Sequence, residues 1–111
     1  MALLKGTLDL LVLKALSWEP MHAFEITNWI EEQSSGRVQI DDAALLQSLH
    51  RLEDRRYIAG EWGVTENARR AKYYSLTAAG RDYLRTESAR LVDHLGAVVS
   101  ILSAKTAKSR G

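Results

Sequence analysis

The spacing of apolar positions changes character twice along this chain. Residues 8–16, "LDLLVLKAL", are apolar at almost every step, through Leu8, Leu10, Leu11, Val12, Leu13 and Leu16. A helix of that kind, capped by Thr7 and with Asp9 near its positive end, is either central to a core or shared with a second subunit. "SWEPM" is a loop, because Pro20 cannot occupy a helix interior. From about His22 to Gln33 a single stripe, Ala23, Ile26 and Ile30, predicts a second helix flanked by Phe24 and Trp29. "SSG" ends it, with Gly36 as a left-handed terminator, and "RVQI" is a short extended linker. A third helix begins at Asp41, whose carboxylate caps the free amides, and runs to about Arg56. Leu45, Leu49 and Leu52 form its core face with Leu46 beside them; Ala44, Gln47, Ser48, Arg51 and Arg55 line the opposite, polar face.

The period then shortens to two. "YIAGEWGV" and "AKYYSL" are strands rich in aromatic and β-branched residues, joined by the polar, turn-prone "TENARR". Alternation turns Trp62 and Tyr74 toward the helices. Thr77 caps a last helix reaching to about Ser103. Along it Leu84, Ser88, Leu91, Leu95, Val98 and Leu102 recur at alternating four- and three-residue spacings, a heptad seam that needs a partner helix. Leu8 and Leu11 join that seam in the expected dimer interface. The order of elements is mainly α (α+β): a winged helix-turn-helix with a two-stranded wing over residues 1–76, a long C-terminal dimerisation helix over 77–104, and a flexible basic tail over 105–111.

Bulk properties narrow the function. With 111 residues and a formal net charge of +1, any binding to a polyanion must come from where the charges lie. The absence of cysteine removes disulfides and thiolate metal sites. The apolar run at the N-terminal end is too short to span a bilayer, is interrupted by Asp9 and Lys14, and lacks a secretory cleavage pattern. A cytoplasmic protein without a membrane partner is expected. His22, His50 and His94 are far apart, with no carboxylate at metal-ligand spacing, and no phosphate loop or nucleophile elbow is present. Neither a metal, a cofactor nor an enzymatic activity is expected.

The candidate chemistry lies on the third helix and the hairpin. Gln47 and Ser48 are short or amide side chains able to reach base edges, and Arg51 can pair bidentately with guanine. His50, Arg55 and Arg56 fall where phosphates would lie, and Arg69, Arg70 and Lys72 sit at or beside a wing able to reach a phosphate or the minor groove. Each group also has a plainer reading, as a solvated helix face or a charged edge strand that resists aggregation. The immediate succession of such a helix and a basic hairpin favours nucleic acid. Trp18 and Trp29 fit no firm apolar pattern and are candidates to line a pocket for a planar effector.

At "LHRLEDRRYIAGEW" followed by "RRAKYYSLTAAGR" the chain resembles the PadR family of bacterial transcription regulators. "KGTLDLLVLKAL" and "MHAFEITNWIEE" are similar too, so the resemblance covers roughly residues 4–84, and the set formed by LHRLE, the EW strand, the KYY–LT strand and Gly80 is specific. The resemblance implies a homodimeric repressor with one winged helix per subunit, bound to an inverted-repeat operator in double-stranded promoter DNA. It implies the third helix in the major groove, and release by a small molecule or other signal. A single C-terminal helix is similar to the smaller subfamily. Some relatives carry a tryptophan there that sandwiches flat drugs; beyond Tyr83 this helix has no aromatic residue.

The family usually opens its recognition helix with Ser-Pro-Gly-Thr-Leu-Tyr-Pro, where this chain has Asp41, Asp42, Ala43, Ala44, Leu45, Leu46 and Gln47. Aspartate stabilises a helix N-terminus but opposes a phosphate. The departure supports an alternative: a winged-helix dimer with weak or lost DNA binding, serving as a protein-interaction or small-molecule-sensing module.

Overall fold

The computed structural model describes residue 3 and residues 6–108. Its elements are α1 (Thr7–Leu16), α2 (Ala23–Gln33), α3 (Asp42–Asp54), β1 (Ile58–Val64), β2 (Arg70–Leu76) and α4 (Ala78–Leu102). This is the expected winged-helix order. Of the basic tail, Lys105 to Lys108 are exposed, and Ser109, Arg110 and Gly111 lie outside the described residues.

α1 is apolar on most faces because it packs against α2, α3, α4 and β2 at once. Val12, Leu13, Ala15 and Leu16 are buried there with Ile26 and Ile30 of α2, and with Leu45, Leu49 and Leu52 of α3. Leu8, Leu10 and Leu11 are only partly covered. The N-cap is Gly6, in a left-handed conformation (φ +85°) and with no side chain to give; Thr7, expected as the cap, is the first helical residue.

Hydrogen bonds at the helix ends explain the other boundaries. At the start of α2, His22 Nδ1 accepts from the Glu25 amide (3.3 Å) while Glu25 Oε1 accepts from the His22 amide (3.1 Å), a reciprocal cap. At its end Ser35 (φ +54°) shares the left-handed turn with Gly36 (φ +77°), and their amides donate to Glu32 and Glu31. Asp41 Oδ2 caps α3 by accepting from the Ala44 amide at 3.1 Å, as expected. α3 stops at Asp54 rather than Arg56 because Arg56 turns left-handed (φ +62°), sending the Tyr57 amide back to the Leu52 carbonyl at 3.0 Å.

β1 and β2 pair antiparallel from Ile58 opposite Leu76 to Val64 opposite Arg70. Met21 and Tyr74 exchange backbone bonds of 3.1 and 2.9 Å, tying the α1–α2 loop to the hairpin. Ile58 and Tyr74 are buried. Trp62 lies on the same face, as alternation required, but is 60% exposed rather than core. The outer half of the hairpin leaves the helices behind, and the Arg70 guanidinium at 4.9 Å covers the indole instead.

Thr77 Oγ1 caps α4 by accepting from the Gly80 amide (3.0 Å) and donates to the Arg56 carbonyl (2.7 Å), joining the ends of α3 and α4. Gly80 is buried so closely that a β-carbon would lie 2.0 Å from the Tyr57 carbonyl oxygen. Tyr83 stacks on Tyr57, with centroids 4.4 Å apart. Leu84, read from the sequence as a seam residue, is buried in the core of the chain itself. Leu91 is half-buried, and every residue from Val92 to Leu102 is exposed. That arm draws the molecule out to 63 × 29 × 21 Å.

Candidate nucleic-acid interface

The side chains on the middle of α3 sort themselves by what α1 offers them. Asp9, in the first turn of α1, accepts from Ser48 Oγ at 2.6 Å and from Arg51 through Nη2 at 2.8 Å and Nε at 3.3 Å. Ser48 is 0% exposed, so the base-reading role expected for it does not fit: its hydroxyl points into the α1–α3 contact. Hydrogen bonding to Asp9 raises the pKa of the Arg51 guanidinium further above its ordinary value. Arg51 is thus a charged strut between two helices, with its side chain still 51% exposed.

The outward face of α3 is correspondingly different from the expected one. Ala43, Leu46, Gln47 and His50 are exposed, with Asp41 and Asp42 ahead of them and Asp54 behind. Leu46, expected beside the core, is 49% exposed. Ala44, placed on the polar face by sequence, is half-buried.

Just beyond α3, Arg55 and Arg56 are exposed. On the hairpin Arg69 and Arg70 are exposed, at a turn where Ala68 is left-handed (φ +60°) and the Thr65 amide donates to the Arg69 carbonyl at 2.8 Å. Lys72 behaves otherwise. Its stem passes over Gly60, where a β-carbon would meet Lys72 Cε at 2.2 Å. Its Nζ reaches Glu53 Oε1 of α3 at 3.0 Å and lies 5.5 Å from the Tyr74 ring centroid. The hydrogen bond to Glu53 raises the Lys72 pKa above its ordinary value, and burial raises that of Tyr74. This pair fastens the hairpin to α3, and its lysine is not a free wing cation.

The structure therefore brings Gln47, His50, Arg55, Arg56, Arg69 and Arg70 to the surface of one helix–hairpin unit, and withdraws Ser48 wholly and Arg51 and Lys72 in part. Of the two residues that do the withdrawing, Asp9 was read from the sequence only as an acid near the positive end of α1, and Glu53 was not singled out. The one signal for Asp9 is a carboxylate in an otherwise apolar run. Trp18, 65% exposed with Lys14 Nζ at 5.0 Å from its ring, lines an open groove of about 510 Å³ beside Arg81, Leu84, Arg85 and Ser88 of α4. Trp29 is half-buried against the core from α2 and does not line that groove. None of the described helices is long and apolar enough to cross a membrane.

Residues 12–86 match the Transcriptional regulator PadR-like family. Over 82 residues, 74% of this chain and 75% of the relative, the chain is 28% identical to an uncharacterized protein of Lysinibacillus sphaericus. Among solved structures it is similar to a transcriptional regulator from Clostridium thermocellum, with TM-score 0.79 and 23% identity over 90% of this chain and 96% of that one. A PadR family transcriptional regulator from Eggerthella lenta aligns with TM-score 0.76 and 27% identity, covering 91% of this chain and 86% of that one. A PadR-like transcriptional regulator from Bacillus cereus shares the fold at TM-score 0.77 and 20% identity, over 91% of this chain and 96% of that one. The family match runs from the core of α1 through the first turns of α4, over the winged helix itself, and the chain belongs to the PadR-like family of transcriptional regulators.

Proposed function

We propose that this regulator is a homodimeric repressor that binds an inverted repeat in promoter DNA, laying the outward face of α3 in the major groove and the hairpin against the backbone. The observation that carries this reading is the set of exposed cations on the α3–hairpin unit. Arg55, Arg56, Arg69 and Arg70 are all exposed, and none is in an ion pair among the described residues. Arginines placed past the end of a groove-facing helix and on a wing suit phosphates, which position a protein without reading sequence. The exposed apolar arm of α4 supplies the second subunit's docking surface through Leu95, Val98 and Leu102, with Leu91 half-buried at its root. Two such subunits would place their half-site centres ~34 Å apart or a multiple of that. A small-molecule effector would enter at the Trp18 groove, which lies against α4 and so senses how the arm is set.

The test is fluorescence anisotropy with DNA from upstream of the protein's own gene, titrated at several salt concentrations beside a scrambled duplex. Preference for the upstream DNA and a steep salt dependence are expected. With the four arginines of each subunit on phosphates, log K against log salt should have a slope of roughly −7. Equal, shallow binding to both duplexes would overturn the reading.

One observation favours a second reading. Asp41, Asp42 and Asp54 are exposed along the same helix whose Arg51 is neutralised by Asp9, while Glu53 neutralises Lys72. A surface so balanced suits a winged-helix dimer with weak or lost DNA binding that contacts a protein or senses a small molecule. The shallow outcome of the same titration would select it.

A further inference from the structure

Resting on the DNA-binding reading above, we infer that this chain reads its half-site through Gln47 and Leu46 at an adenine–thymine step, and that no arginine of α3 reads guanine. Guanine presents two acceptors, O6 and N7, in the major groove, and the usual reader is a cationic fork. The fork available on the middle of α3 is Arg51, whose Nε and Nη2 are both engaged by Asp9. Asp9 is itself half-buried and holds the fully buried Ser48, so withdrawing Arg51 would leave a carboxylate with no cation beside it. Arg55 is the C-cap at the far end of α3, and Arg56 follows it where the chain turns left-handed.

Beside the exposed but tethered Arg51, the outward side chains form a stripe of Ala43, Leu46, Gln47 and His50 at helical spacing. A glutamine amide offers one donor and one acceptor, which match the N7 acceptor and N6 donor of adenine. Against guanine its carbonyl would meet O6, acceptor against acceptor. Leu46 complements the choice. Its exposed methyls suit the C5-methyl of thymine and would strip water from the N4 donor of cytosine without replacing it. His50, one turn further on, falls toward the phosphate side of the groove. Gln47 and Leu46 thus agree on A·T at the step they cover, and the acidic helix start beside them discourages any compensating phosphate contact there.

The experiment is selection by the full-length protein from a duplex library randomised across both half-sites, followed by anisotropy of wild type and variants on the enriched duplex and on its A·T→G·C derivative. The wild type should enrich an A·T step and prefer it by about tenfold or more. Gln47→Ala and Leu46→Ala, both at exposed positions that leave the core intact, should each reduce that ratio several-fold, and together bring it near one. Arg51→Lys, which keeps a cation beside Asp9, should leave the ratio as it is. An enriched guanine whose preference is lost in Arg51→Lys, with Gln47→Ala unchanged, would overturn the inference and leave DNA binding standing. No enrichment of any sequence would bring down the DNA-binding reading, and this inference with it.

Discussion

Ser48 shows what a single hydroxyl does in this protein. It is fully buried, and its 2.6 Å bond to Asp9 joins α3 to α1. Hydrogen bonds to charged groups contribute more than neutral ones, so Ser48→Ala should cost about 1–2 kcal/mol, the low end because Arg51 remains on the carboxylate. Urea unfolding would check this, and discrimination between operator and scrambled DNA should be unchanged. Gly80 is a stricter position. An exposed helix glycine replaced by alanine gains about 1 kcal/mol of helix propensity. Here the new β-carbon would lie 2.0 Å from the Tyr57 carbonyl, a backbone atom that cannot swing aside. Overpacking of that kind costs at least ~1–3 kcal/mol, so Gly80→Ala should be destabilised despite the propensity gain, with a lower urea midpoint. At this scale the sequence was only partly legible. Periodicity correctly assigned Leu45, Leu49 and Leu52 to the core but put Leu46 beside them and Ser48 on the polar face, and both are reversed by what sits opposite them. A serine enters a core only when a partner waits there, and Asp9 is 39 residues away along the chain.

Helices and strands were easier to foresee than their junctions. Asp41 and Thr77 cap where expected because a side-chain oxygen followed by an amide three residues on is a local signal. The left-handed turns at Ser35 and Arg56 carry no such signal, since both residues adopt them against their own preference. Trp62 shows the same limit in a strand: alternation assigns its face, but not how far the hairpin outruns the helices. What holds that hairpin to α3 should be visible in alkali. Lys72 is held above its ordinary value of 10.5 by Glu53, and Tyr74 above its ordinary 10.0 by burial. In each case the folded chain keeps its proton more tightly than the unfolded chain, so the two groups make stability fall as pH rises. Their contributions are complete below about pH 10 and are lost as pH climbs through the raised values. Urea midpoints should hold steady from neutrality to the unfolded values and then decline, and Lys72→Met should flatten part of that decline. A midpoint that rises through the same window would contradict both assignments. Gly60→Ala offers an independent check, because its β-carbon displaces the Lys72 stem and should reproduce the Lys72→Met profile.

The whole molecule is a small core with a long arm, and the arm cannot stand by itself. From Val92 to Leu102 no side chain is covered, yet six of these residues are large and apolar. Val92, Val98, Val99 and Ile101 are β-branched and Gly96 is a weak helix former, so local propensity is a poor reason for this stretch to be helical. Its helicity must come from packing, which in most proteins outweighs propensity. If the packing is the proposed dimer seam, helix content and subunit association are one equilibrium. Dilution that separates the subunits should then fray the arm. Leu95→Asp with Val98→Asp alters only exposed positions, so the core from α1 to β2 should survive. The expected product is a folded monomer in sedimentation, with a far-UV helix signal lower by roughly the length of the arm and a retained cooperative unfolding transition. Wild type should lose the same portion of its signal on dilution, and the variant should show no concentration dependence. A variant that sediments as a stable dimer would place the subunit contact elsewhere, on the half-covered Leu8 and Leu11 of α1, and would leave the arm's helicity unexplained by self-association.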